Sequence, residues 1–364
     1  MLGRTAIMSP VVLLAMALVA MAIACSPGAE PRDVQSSPGA PLPATQAIVA
    51  TIAPPKEPIV FSDLNWDSAQ LQNRIAQYIV EKGYGYPSRA EFGGTLALFR
   101  SLRQGEIDVA MEIWLPNQDE AWVDAQAAGD VISAGRSLSS TWQSAFVIPA
   151  YIQEQYPDLD SVEDLKDPQY RELFATADTD GKARLVSCLV GWACDEVNTA
   201  QVAGYGLSEH VHVVNPGTRE IANGELYRLY EKRKPWLGYQ ESLNEPVLLL
   251  DLVRLAEPEY SDRCWHTNKA CAYEDATVLI GVNPELDGRA PQVVDMLRKW
   301  HLDTESYTGL ARWRIEQDAS YADAAIRWLN NNEDAWAQWV TEPAAEGIRA
   351  ALAAGERADG WPGE

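Results

Sequence analysis

The sequence predicts a two-lobed α/β protein with a ligand cleft between the lobes, and three observations carry that prediction. Short apolar strands alternate with amphipathic helices from residue 59 onward, the order that builds a largely parallel sheet covered by helices. About 300 residues follow an apolar leader and a Pro-rich stretch, enough for two cores rather than one. Two strand-to-loop junctions in different parts of the chain carry a tryptophan, Trp114 and Trp192. In open α/β sheets ligands bind beyond the carboxyl ends of strands, so two such junctions on two lobes frame a cleft.

The first 25 residues set the compartment. Arg4 supplies a short positive start, Ile7 to Ile23 is apolar apart from Ser9 and Pro10, and small residues lead into Cys25. This pattern resembles a bacterial lipoprotein signal peptide, in which cleavage precedes a cysteine that then carries lipid. The alternative is a transmembrane anchor, for which the apolar run is short. Either reading puts the rest of the chain outside the cytoplasm, on the outer face of the cytoplasmic membrane or in a periplasm. Residues 26–57 are rich in Pro, Ala, Ser and Gly and read as a tether that buries no core.

From Ile59 the elements follow in order. Ile59–Leu64 is a strand; Asp67 to Lys82 is a helix with Leu71, Ile75, Ile79 and Val80 on one face and Gly83 at its end. A helix around Thr95 and a strand over Asp108–Trp114 come next. After the strand Ser144–Pro149 a second unit is expected, with strands at Arg184, at His210–Val214, near Trp236 and at Val247–Leu250, and a helix from Thr218 to Lys232. Ala276–Val282 is one more strand. The remainder is helical, carries Trp300, Trp313, Trp328, Trp336 and Trp339 as packing residues, and is expected to return to the first lobe. The lobes are therefore drawn as 58–147 plus 276–364 and 148–275.

Composition narrows the partners. A net charge of −23 excludes nucleic acid, which needs a basic patch, and mildly favours cationic ligands. Four cysteines follow Cys25, in two local pairs, and an oxidising compartment favours the disulfides Cys188–Cys194 and Cys264–Cys271. A four-cysteine zinc site wants tighter spacing. Hydrolase, nucleotide and metalloprotease motifs are missing. His210 and His212 alternate on a strand and read as surface or packing residues, and the paired spacing withholds the cysteines from His266 or His301 as catalytic partners. Binding without catalysis, cofactor or metal is the expectation.

The loop Cys188-Leu-Val-Gly-Trp192-Ala-Cys194 runs into a helix whose first amides and positive dipole end suit an anion. Aromatic faces gathered around a small space suit a quaternary ammonium, which offers no hydrogen-bond donor. Together with Glu112-Ile-Trp114-Leu-Pro116-Asn117-Gln118, and with Lys234-Pro235 leading to Leu243-Asn-Glu-Pro246, this loop resembles the solute-binding proteins of ABC importers for glycine betaine, proline betaine and choline. The resemblance covers about residues 58 to 342.

It implies the type II periplasmic binding fold and a small methylated ammonium ligand: glycine betaine, choline, trimethylamine N-oxide or similar. It also implies ABC permease and ATPase subunits as partners. It makes Trp114 and Trp192 cage walls and gives the ligand carboxylate to the backbone of Ala193 and Cys194. Where the family has a third cage tryptophan this chain has Glu241, with Trp236 and Tyr239 nearby, and strand alternation puts Tyr239 and Glu241 on one face. Where the family has a carboxylate-binding histidine stands Gln118, beside Asn117. Trp66 and Trp142 either complete the box or pack, and Glu112 is either a cleft carboxylate or a salt-bridged wall. The rival functions are a ligand-sensing extracytoplasmic module and a secreted hydrolase.

Overall fold

The computed structural model describes residues 55–139 and 144–363. Among the described residues ten strands form two five-stranded sheets. They are β1 (Ile59–Leu64), β2 (Ser88–Gly93), β3 (Val109–Leu115), β4 (Ile132–Ser139), β5 (Ser144–Pro149), β6 (Ala183–Val186), β7 (Val211–Val214), β8 (Gly238–Glu241), β9 (Leu252–Arg254) and β10 (Thr277–Val282). The first sheet runs β2-β1-β3-β10-β4 and the second β7-β6-β8-β5-β9. Every residue of β1 is buried, as an inner strand covered on both faces requires.

Three expectations change. The sheets are mixed rather than largely parallel: β1 runs parallel to β2 and β3, but β10 is antiparallel to β3 and β4. In the second sheet β6 is parallel to β7 and β8, whereas β5 is antiparallel to β8 and β9. The strands next to the two crossings between sheets run against their neighbours. Secondly, β5 pairs in the second sheet, so 144–147, counted above with the first lobe, lie in the other one. Finally, Val247–Leu250 is not a strand. Asn244 Oδ1 accepts from the Val247 amide (3.3 Å) and Pro246 sits in the first turn, which starts the helix Glu245–Leu249.

The helix Asp67–Tyr78 is buried on nearly all sides, and its polar face explains how. Arg74 pairs with Asp63 at 2.9 Å with both side chains almost wholly enclosed, and Asn73 donates to the Ser62 carbonyl (2.8 Å). The C-terminal helices cover this face: Tyr321–Asn331 packs on Asp67–Tyr78, and Glu342–Ala353 on the π-helical turn Ile79–Gly83. Glu81 then accepts from the amides of Asp359 and Gly360 (2.6 and 2.8 Å), fastening the chain end to the first sheet's side. Trp300, Trp339 and Trp328 stack in series, with centroids 4.6 and 5.5 Å apart. Packing is what these three rings do.

Candidate functional site

Five chain segments deliver their ends to one place. β1 stops at Leu64, and Asn65 and Trp66 lead into the helix that begins at Asp67. Gly94 precedes the helix Thr95–Arg103. Trp114 is the last residue but one of β3, and the turn after the strand brings Asn117 and Gln118, the Gln118 amide donating to the Trp114 carbonyl (3.2 Å). From the second sheet come Trp192, which precedes the helix Ala193–Gly204, and the face of β8 that carries Tyr239 and Glu241. Trp66, Thr95, Trp114, Asn117, Gln118, Ser144, Trp192, Ala193, Cys194, Tyr239 and Glu241 line one cavity of about 20 Å³. That volume takes roughly one water molecule.

The aromatic walls are held by polar groups at their edges. Trp66 and Trp192 meet edge to face, 5.4 Å between centroids at 73°. Trp192 Nε1 donates across the cleft to Asn65 Oδ1 (2.6 Å). Glu112 Oε2 accepts from Trp66 Nε1 (2.6 Å), Trp114 Nε1 (2.8 Å) and Ser68 Oγ (3.0 Å), and its Oε1 accepts from Gln72 Nε2 (2.7 Å). Glu112 is thus neither a cleft carboxylate nor a salt-bridged wall: it is fully buried behind the rings, and burial pushes its pKa up against these four donors.

The loop carrying Trp192 is rigid by construction. The disulfide Cys188–Cys194 closes it, Gly191 takes the left-handed φ of 89°, and Asn215 Nδ2 donates to both the Cys188 carbonyl (2.8 Å) and Asp195 Oδ1 (2.7 Å). Gly191 also offers its carbonyl to the Leu96 amide of the other lobe (3.3 Å). A Cβ at Gly94 would stand 3.4 Å from that carbonyl, in ordinary van der Waals contact, so the two lobes touch here through backbone. The amides of Ala193 and Cys194 are the first two of their helix and have no intrahelical partner, and Trp192 supplies no side-chain cap. Cys264–Cys271 forms too, behind the helix Ala193–Gly204, where the Cys271 carbonyl accepts from Gln201 Nε2 (2.9 Å).

Charge around the cavity is asymmetric. The Glu241 carboxyl is pushed up to about 7, chiefly by burial and further by the charges of Glu112 and Asp67, while the Arg219 guanidinium and the Tyr239 hydroxyl pull the other way. Tyr239 OH lies 2.8 Å from Ser144 Oγ and 3.3 Å from Glu241 Oε1, and burial keeps it a neutral phenol. At the mouth, Arg219 of the second lobe meets Asp67 of the first at 2.9 Å, and Arg314 reaches the same carboxylate at 3.1 Å. Burial alone would raise Asp67, but these two guanidiniums, the Tyr321 hydroxyl and the Glu245 amide hold it below the usual range.

Of the residues singled out from the sequence, Trp66, Trp114, Asn117, Gln118, Trp192, Ala193, Cys194, Tyr239 and Glu241 come together. Trp236 does not: it is buried in a small core with Ala145, Val147, Val186 and Leu226, lying over Gly238, because it precedes β8 on the side away from the cavity. Trp142 and Cys25 lie outside the described residues. Asn65, Thr95, Ser144, Asp67 and Arg219 were missed. The signal for Thr95 was available in Gly93-Gly94 ahead of a helix start, and that for Asn65 in its place beside Trp66; Ser144 and Arg219 gave none. Among the described residues no group of three or more His, Cys, Asp or Glu side chains is placed to hold a metal ion, and no helix is long and apolar enough to cross a membrane.

Two mixed sheets with aromatic strand ends facing one another define a two-lobed solute-binding protein. Residues 57–331 match the family described as the substrate binding domain of the ABC-type glycine betaine transport system, and the chain belongs to that family. A trimethylamine N-oxide-binding protein of Pelagibacter ubique is 21% identical over 297 residues, 79% of this chain and 92% of that protein. Among solved structures, an ABC-transporter choline-binding protein in complex with choline superposes with a TM-score of 0.67 at 16% identity, covering 81% of this chain and 98% of that one. Lactococcal OpuAC in its closed form with glycine betaine gives 0.63 at 16% identity, over 79% and 100%. The fold is that of type II periplasmic binding proteins.

Proposed function

We propose that this protein is the extracytoplasmic receptor of an ABC importer and captures a small methylated ammonium compound such as choline, trimethylamine N-oxide or glycine betaine. One observation carries the reading: Trp66, Trp114, Trp192 and Tyr239 surround a single cavity that also holds the Glu241 carboxyl. Ring faces attract a cation without needing a donor from it, each contributing roughly 0.5–2 kcal/mol according to desolvation. A trimethylammonium head is larger than the present cavity, so Trp66 and Trp192 part to admit it, and their walls belong to different lobes. Opening and closing of the lobes supplies that movement, and the Asp67–Arg219 pair spans the cleft beside it.

In this reading Ala193 and Cys194 offer amides to an anionic end where the ligand has one, and Asn117 and Gln118 offer neutral amides. Asn117 Oδ1 is buried at the cavity without a hydrogen-bond partner, as a group awaiting a ligand would be. Lipid on Cys25 tethers the receptor to the membrane, where the permease and ATPase subunits work. The test is calorimetry of the purified protein against choline, glycine betaine, carnitine, trimethylamine N-oxide and dimethylsulfoniopropionate. At least one binds with Kd well below about 1 mM, roughly −4 kcal/mol. Failure of all five overturns the proposal, and slow turnover of any bound amine would replace it with an enzyme.

A further inference from the structure

Glu112 is fully buried and accepts hydrogen bonds from four neutral groups. The network around it favours the carboxylate against the cost of burial. Trp300 Nε1 can only donate, and it donates to Gln72 Oε1 (2.9 Å); Gln72 therefore turns its Nε2 toward Glu112 Oε1 (2.7 Å). The other oxygen faces the indole N–H groups of Trp66 and Trp114, which also only donate. Ser68 Oγ is the one partner that could accept a proton from Glu112 (3.0 Å), whereas the two indoles and the Gln72 amide only donate, so three of its four partners favour the carboxylate. All four of its partners are neutral, and among the described residues no Lys, Arg or His side chain pairs with Glu112. A buried anion without a cation is costly unless some other positive group serves it.

We propose that Glu112 is the fixed counter-charge of the tryptophan cage, a positioning residue that pins two walls by their N–H edges and makes their faces more attractive to a methylated ammonium ion. It does not line the cavity. Its effect passes through the rings: a carboxylate accepting from an indole N–H pushes electron density toward the ring face, and its own field reaches the cation across low-dielectric wall. One carboxylate oxygen shared by two indoles also fixes their mutual angle. The short spacing Glu112-Ile-Trp114 brings the acceptor to one ring from the same strand, while Trp66 and Ser68 reach it from the start of the helix Asp67–Tyr78.

This rests on the reading of the site as an ammonium cage, and the experiment separates the two. Choline and its uncharged carbon analogue 3,3-dimethylbutan-1-ol are titrated into the wild-type protein and Glu112→Gln. Wild-type protein that binds neither refutes the cage. Given wild-type binding, Glu112→Gln loses choline affinity by about tenfold or more while the neutral analogue changes by less than about twofold. Equal losses for both ligands, or no loss for choline, overturn the counter-charge. Should the variant fail to fold, indole NMR of wild-type protein decides: two N–H signals, assigned by Trp66→Phe and Trp114→Phe, stand downfield of the other indoles as carboxylate-bonded donors do. Their absence there overturns the proposal equally.

Discussion

Choline binding should strengthen about tenfold between pH 6 and pH 8, because the ligand competes with a proton for Glu241. The carboxyl lines the cavity and is pushed up to about 7 by burial first, then by Glu112 and Asp67, against Arg219 and the Tyr239 hydroxyl. Choline carries the same charge throughout that range and prefers the ionised carboxylate. With a free-protein pKa near 7, about one site in eleven is ionised at pH 6 and about ten in eleven at pH 8, so the apparent affinity changes by about tenfold, or roughly 1.4 kcal/mol. Calorimetry in two buffers of different ionisation enthalpy reads the affinity and the proton released, close to half a proton per choline at pH 7. Glu241→Gln should bind more weakly and lose the pH slope. An affinity that is flat, or that rises as pH falls, refutes the reasoning.

Stability gives an independent check with the opposite sign. A carboxyl whose folded pKa lies above its unfolded value holds more protons in the folded state between the two, so the protein loses stability as pH rises from about 4.5 to about 7. Glu257, also pushed up to about 7 by burial against the Tyr205 hydrogen bond and Arg254, adds to this slope. Saturating choline should remove the Glu241 share of the decline in Tm and leave the Glu257 share.

Three further outcomes are expected. Trp192→Ala loses choline affinity by about tenfold or more, since it removes one wall of the proposed cage and the cleft-spanning bond to Asn65, and because the ring is buried it also lowers Tm; an unchanged Kd in the same calorimetry removes the ring from the site. Asp67→Asn leaves Arg219 and Arg314 without their shared carboxylate, so it lowers Tm by several degrees and shifts small-angle scattering toward a larger radius of gyration. An unaltered scattering curve would mean this pair does not hold the lobes together. Replacing Cys188 and Cys194 by Ser costs about 2 kcal/mol in chain entropy for so short a loop, and it should cost binding more than stability because Trp192 loses its anchored position; equal losses make the bridge merely structural.

The site was readable from the sequence to the extent that its residues sit at the ends of elements. Trp114 and Trp192 stood out because strand ends and helix starts are where open sheets place ligands, and Tyr239 with Glu241 followed from the two-residue repeat of a strand. Trp236 failed by the same logic: it lies before β8 begins, so the alternation does not govern it, and its ring turns back over Gly238. Glu112 was visible as a strand residue, yet its role depends on Gln72, from the helix Asp67–Tyr78, and on Trp300, just after the helix Pro291–Lys299. No local pattern announces such a network. The boundary at β5 and the mixed strand directions were missed because pairing partners are a tertiary choice, whereas propensity and period report only the strand itself.

Glu241 and the helix start at Ala193 pull the choice of ligand in opposite directions, and both face the same small cavity. Two partnerless amides favour a carboxylate, which a betaine carries a short distance from its ammonium. An ionised Glu241 within that space repels the carboxylate as strongly as it attracts the cation, so a zwitterion gains little from it. Protonated, the same side chain becomes a hydrogen-bond donor and the repulsion disappears. With the carboxyl pushed up to about 7 by burial, the proposed site predicts a pH-dependent choice: betaines bind better below that pH, where the helix amides act on the ligand carboxylate, and singly charged cations bind better above it. On the proposed reading, Glu241→Trp would add a fourth indole to Trp66, Trp114 and Trp192 and fix the first behaviour at every pH.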